Sequence, residues 1–233
     1  MNETPDSGAG DGLYRLLAWL ERSTPRFVYL WISERLMGPE RAARVVKYLR
    51  RETLPSVVQG LSPAFSASVA PMLTDEAIGI IVEQVQIETL VNVSRALVKA
   101  GHYQTMARFG TLMGTSRTKA FIVALNDMEA IAHTARFYDP DTLKRVAETF
   151  SGQYGSKLAA ALDRLGYHDV EAELGRLMSP EHLAPFLRNL QPVQAMRFFA
   201  KADQRQIDQV LARLQEDRAS AIMQSLMDLR TGR

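Results

Sequence analysis

From Gly38 onward the chain repeats itself about every dozen positions, a period too short for any fold but a stack of short elements. Position 0 of each unit falls at Gly38, Arg50, Ser62, Thr74, Gln86, His102, Gly114, Asn126, Asp139, Ser151, Tyr167, Ser179, Gln191, Asp203 and Gln215. The step into Asp139 is one position longer than the rest, and those into His102 and Tyr167 are four longer. Position 7, which runs from Val45 and Val57 to Val210 and Ile222, is then apolar in every unit except the one carrying His133. Position 11 is apolar throughout, from Leu49, Leu61 and Leu73 to Leu214 and Leu226. In units such as Leu54-Val57-Val58-Leu61 the apolar spacing is i, i+3, i+4, i+7, the buried stripe of an amphipathic helix. No stretch alternates with the period of two that a strand needs.

Position 0 supplies the punctuation. Ser62-Pro63, Asp139-Pro140 and Ser179-Pro180 each place an N-cap oxygen before a proline whose missing N–H costs nothing at the first helical position. Gly38, Gly101, Gly114 and Gly166 stand where helix C-termini want a left-handed residue. Pro55, Pro71 and Pro185 fall inside units, so shortened or kinked helices are expected there. The two longest steps begin at Gln86 and Ser151, five units from one to the other. They point to duplication of an ancestral block of helices.

A unit of this length leaves a helix of roughly 9 or 10 residues, too short to persist alone in water. Its stripe must be covered by neighbouring units, which is the logic of a repeat array. The expected fold is therefore all-α: an α-solenoid of short antiparallel helices. The form cap-Pro-x-x-small-x-x-apolar-apolar-x-x-Leu, over about residues 38–229, resembles the intracellular N-domain of MgtE-type magnesium transporters. It is also similar to helical segments of the flagellar motor-switch protein FliG. The resemblance implies a short-helix repeat. In the transporter family that domain is acidic and takes part in magnesium sensing, whereas here Lys+Arg number 28 against Asp+Glu 26. No CBS domain or membrane span is expected within these 233 residues, and the resemblance carries the fold rather than magnesium binding.

The domain organisation expected is a disordered polar tail at 1–12, N-terminal capping helices at 13–37, and the repeat domain at 38–229. The chain has no cysteine, which removes thiol catalysis, disulfides and thiolate metal sites together. No apolar run reaches the length of a membrane span, and the N-terminus lacks a signal-peptide pattern. Metalloprotease, EF-hand, nucleophile-elbow and dinucleotide-binding signatures are all missing. Gly152-Gln153-Tyr154-Gly155-Ser156-Lys157 has no strand before it to make a phosphate loop, and the sequon Asn92-Val93-Ser94 lies within a helical stripe. No cofactor and no metal site is expected. The near-balanced charge makes nucleic acid the least supported partner.

Three departures from the pattern carry the functional expectations. The segment Phe27-Val28-Tyr29-Leu30-Trp31-Ile32 is apolar all round, and with Trp19 it holds both tryptophans of the chain. Such a helix has to be covered, so Trp19, Phe27, Tyr29 and Trp31 are candidate contacts for a protein partner or a second copy. A membrane surface is the further alternative. Arg41, Arg44, Lys47 and Arg51 form a basic face and a candidate anion site. His133, with Thr134 after it, interrupts the stripe; a buried imidazole needs either bonded partners or a pocket. The function expected first is a non-enzymatic, cytoplasmic protein-interaction scaffold. The alternatives are a carrier or enzyme for a small apolar molecule bound near His133, and a peripheral membrane protein.

Overall fold

The computed structural model describes residues 37–150, 153–188, 190–215 and 219–225. The aromatic segment with Trp19, Phe27, Tyr29 and Trp31 lies outside the described residues, as do the expected tail and nearly all of the capping helices. All the regular secondary structure among the described residues is helical, with no strand. Nor is any helix among them long and apolar enough to cross a membrane.

The chain divides into two compact units, Met1–Arg117 and Thr118–Arg233. The first contains α1 (Pro39–Val46), α2 (Leu54–Gly60), α3 (Pro63–Val69), α4 (Asp75–Gln84), α5 (Ile87–Lys99) and α6 (Tyr103–Leu112). The helix α7 (Thr115–Leu125) runs across the boundary. The second contains α8 (Met128–Ala135), α9 (Pro140–Ala147), α10 (Gln153–Arg164), α11 (His168–Leu177), α12 (Pro180–Leu187), α13 (Pro192–Phe198) and α14 (Gln204–Leu211). Within each unit a helix packs chiefly on the one two places along: α3 on α5 and α4 on α6 in the first, α10 on α12 and α11 on α13 in the second.

Position 0 is the N-cap of the following helix at Gly38, Ser62, Thr74, Gln86, His102, Asp139, Tyr167, Ser179, Gln191 and Asp203. Asp139 accepts from the Thr142 N–H at 2.9 Å, and Asp203 from that of Gln206 at 2.7 Å. The Ser179 hydroxyl does not cap its helix; it pairs instead with His182 Nδ1 at 2.9 Å. Pro55 delays the start of α2 to Leu54, and Pro71 sits in a short 3-10 turn (Ala70–Met72). Pro185 lies inside the eight-residue α12. Of the expected left-handed glycines, Gly101 and Gly166 have φ of +74° and +70°. Gly38 is extended, with φ −65°, because it begins a helix rather than ending one. Gly114, just before α7, is not left-handed either.

Both left-handed glycines close the longest of the described helices by the same pair of bonds. The His102 N–H donates to the Leu97 carbonyl at 2.9 Å and the Gly101 N–H to that of Val98 at 3.0 Å. Matching bonds run from Tyr167 to Leu162 at 2.9 Å and from Gly166 to Asp163 at 3.0 Å. These are Schellman closures, and they account for both of the longest steps. Side chains from later helices satisfy other C-terminal carbonyls. Arg117 donates to the carbonyls of Val82 and Val85 at 2.7 and 2.5 Å, and Gln206 to those of Gly175 and Met178 at 2.7 and 2.9 Å. The otherwise orphaned carbonyls of a short helix thereby become ties between helices.

One unit is out of register. Asn126 does not cap α8: it ends α7 in the left-handed region, with φ +49°. Asp127 is the cap, accepting from the Ala130 N–H at 3.0 Å. Counted from Asp127, position 7 is Thr134, 1% exposed, while Phe137, assigned to position 11, is 49% exposed. His133 therefore lies beside the stripe rather than in it.

Candidate functional site

The first candidate lies in the N-terminal unit. The position-11 residues Val85, Leu97, Met113, Leu125, Phe150 and Leu162 are buried, but Leu49, Leu61 and Leu73 are only half-buried. With Val46, Val58 and Phe65, also half-buried, they line an apolar groove floored by Val45, Val57 and Val69. Its cavity is about 50 Å³. That is room for an inserted side chain, well below the ~150 Å³ that holds a benzene. An adjoining cavity of about 150 Å³ shares Val46, Leu49, Leu54 and Leu73 and adds Lys47, Arg51 and Glu76.

Of the expected anion-binding residues, Lys47 and Arg51 line this adjoining cavity. Arg41, Arg44, Lys47 and Arg51 are all exposed. They do not share one helix face, because α1 stops at Val46 and Arg51 lies in the turn before α2, paired with Glu76.

His133 and Thr134 are both engaged in the second unit. His133 Nδ1 lies 2.7 Å from the Tyr167 hydroxyl, and the two rings meet edge to face at 5.5 Å. The Arg136 guanidinium also packs on the Tyr167 ring, 4.5 Å from its centroid. Thr134 donates back to the Ala130 carbonyl at 2.7 Å. A polar cavity of about 310 Å³ nearby is lined by Arg136, Tyr138, Asp169, Glu173 and Lys201, with apolar side chains between them.

The second candidate is a cluster not anticipated from the sequence. Glu171, on the first turns of α11, has a fully buried side chain. His168, at the start of the same helix and 50% exposed, places Nδ1 2.9 Å from Glu171 Oε2. The other oxygen, Oε1, is buried and has no hydrogen-bond partner. Burial pushes the Glu171 carboxyl above the usual carboxylate range, and the bond from His168 only partly offsets that. Asp163, near the C-terminal end of α10, is held by Gln194 Nε2 at 2.6 Å and paired with Arg197. One ligand atom from each of Asp163, His168 and Glu171 lies within 4.8 Å of the other two. The signal for this cluster sat at position 4 of the repeat, where Glu171 is the only charged residue in the fifteen units.

The fold and sites define an all-helical protein built of short repeated units. Comparison with known proteins gives no match among family models, curated proteins or solved structures.

Proposed function

We propose that the chain is a non-enzymatic interaction module, an α-solenoid whose N-terminal groove receives an amphipathic helix of a protein partner. The observation that carries this reading is the half-burial of Leu49, Leu61 and Leu73 at a repeat position that is buried in most later units. Apolar stripe residues left partly in water favour an apolar occupant. The small cavity suits one or two anchoring side chains of a helix better than a free small molecule. The exposed Lys47 of the adjoining cavity, with exposed Arg50 next to Leu49 in the chain, favours acidic residues flanking those anchors. The resemblance to MgtE-type and motor-switch repeats supports the solenoid reading and adds nothing about the occupant.

The test is photocrosslinking from position 61 of the full chain in cells, with mapping of the crosslinked peptide. A partner peptide of amphipathic helical pattern with acidic flanks is expected. It should disappear when Val58→Glu is added, provided that circular dichroism shows the helices intact. Crosslinks confined to residues 1–36 of the same chain would overturn the proposal, since the groove would then be an internal packing surface. Crosslinks to a second copy would replace the foreign partner by self-association.

A further inference from the structure

The polar cluster of the second unit stands apart from the groove and does not depend on it. We infer that Asp163, His168 and Glu171 form a binding site for one divalent transition-metal ion of the zinc class. An acidic cluster alone is no site, but here a fully buried carboxylate leaves Oε1 with no partner, while its other oxygen meets His168. A buried polar atom without a bond is costly, and a cation supplies what no protein group does.

The chain contains its own control. The helices α6 and α11 start at Tyr103 and His168, five units from one to the other, have the same length and follow the same glycine closure. At the places of His168 and Glu171 the earlier copy has Tyr103 and Met106, and at that of Asp163 it has Val98. Met106 is buried and apolar. The local fold is thus satisfied by a methionine, so packing does not account for a carboxylate at position 171. In the later copy one ligand atom from each of the three polar replacements lies within 4.8 Å of the other two.

The donor set selects the ion. Imidazole nitrogen and carboxylate oxygen are both ligand types that zinc takes, and three protein ligands with a further position left to water is the form of an open zinc site. Imidazole in the set disfavours magnesium and calcium, which prefer oxygen alone. Gln194 and Arg197 fix the Asp163 carboxylate, the kind of support that orients a metal ligand. The Arg197 guanidinium also opposes a second cation, so charge by itself does not fill the site, and coordination to His168 is essential. Half-exposed His168 provides the way in from solvent.

The test uses the full chain, treated with chelator and dialysed, titrated with zinc chloride and separately with magnesium chloride. Calorimetry should show one zinc ion bound per chain and no magnesium. Zinc should also raise the melting temperature, as any ligand specific to the folded state does. His168→Tyr and Glu171→Met, which import the residues of the earlier copy, should each weaken zinc binding about tenfold or more. Both should keep the helical circular dichroism of the parent. If Glu171→Met fails to fold, the half-exposed His168→Tyr still decides the matter. Absence of saturable zinc binding in the parent overturns the site, and so does binding that His168→Tyr leaves unchanged.

Discussion

Gly175 and Phe198 bring two helices of the second unit into backbone contact: a Cβ on Gly175 would lie 1.6 Å from the Phe198 carbonyl oxygen. The oxygen belongs to the main chain at the end of α13 and cannot swing aside as a side chain would. Phe198 itself is fully buried, with its ring edge-on to that of Phe186 at 5.3 Å. Gly175→Ala therefore forces α11 and α13 apart. A loss of about 3 kcal/mol, at the upper end for overpacking, is expected. Chemical denaturation would measure it, and a loss under about 1 kcal/mol would show that the two helices slide freely.

Asp139 tests the capping scheme. Its carboxylate accepts from the Thr142 N–H, and the bonds to Thr142 hold its pKa below the usual range. A depressed folded-state pKa adds stability above the unfolded value, and that stability is lost as pH falls through the folded value. Asp139→Ala should cost about 1 kcal/mol at neutral pH. Asp139→Asn, which keeps an equally good cap, should cost little there but should lose less stability than the parent on acidification. Melting temperatures from pH 7 down into the acid range, recorded for all three proteins, separate these outcomes.

Much of the fold was legible because so short a helical unit leaves few choices. Every apolar position-7 residue among the described positions, from Val45 to Ile222, is buried. Among the described residues the apolar register slips at Asn126, where a single left-handed residue inserts before the cap. That displacement made His133 look like a break in the stripe, when Thr134 occupies the place. Glu171 was missed for a different reason: positions 7 and 11 declare the repeat, while the anomaly sits at position 4. The groove was not legible at all. Leu49, Leu61 and Leu73 read like every other position-11 residue, and only their packing neighbours decide how much water reaches them.

Ser94 offers a test of the first unit's core. It lies on α5, fully buried, and its hydroxyl has no hydrogen-bond partner. An unpaired buried hydroxyl costs about 1–3 kcal/mol in lost hydration, so removing it should relieve the fold. Ser94→Ala also improves helix propensity in the middle of a 13-residue helix by a few tenths of a kcal/mol. The cavity left by one oxygen is small against these gains. A rise in stability of about 1 kcal/mol is expected, measured as a higher denaturant midpoint with an unchanged slope. A fall in the midpoint would mean that the hydroxyl is bonded in solution, by a buried water or by a carbonyl of its own helix, and that this part of the core is wetter than its apolar surroundings imply.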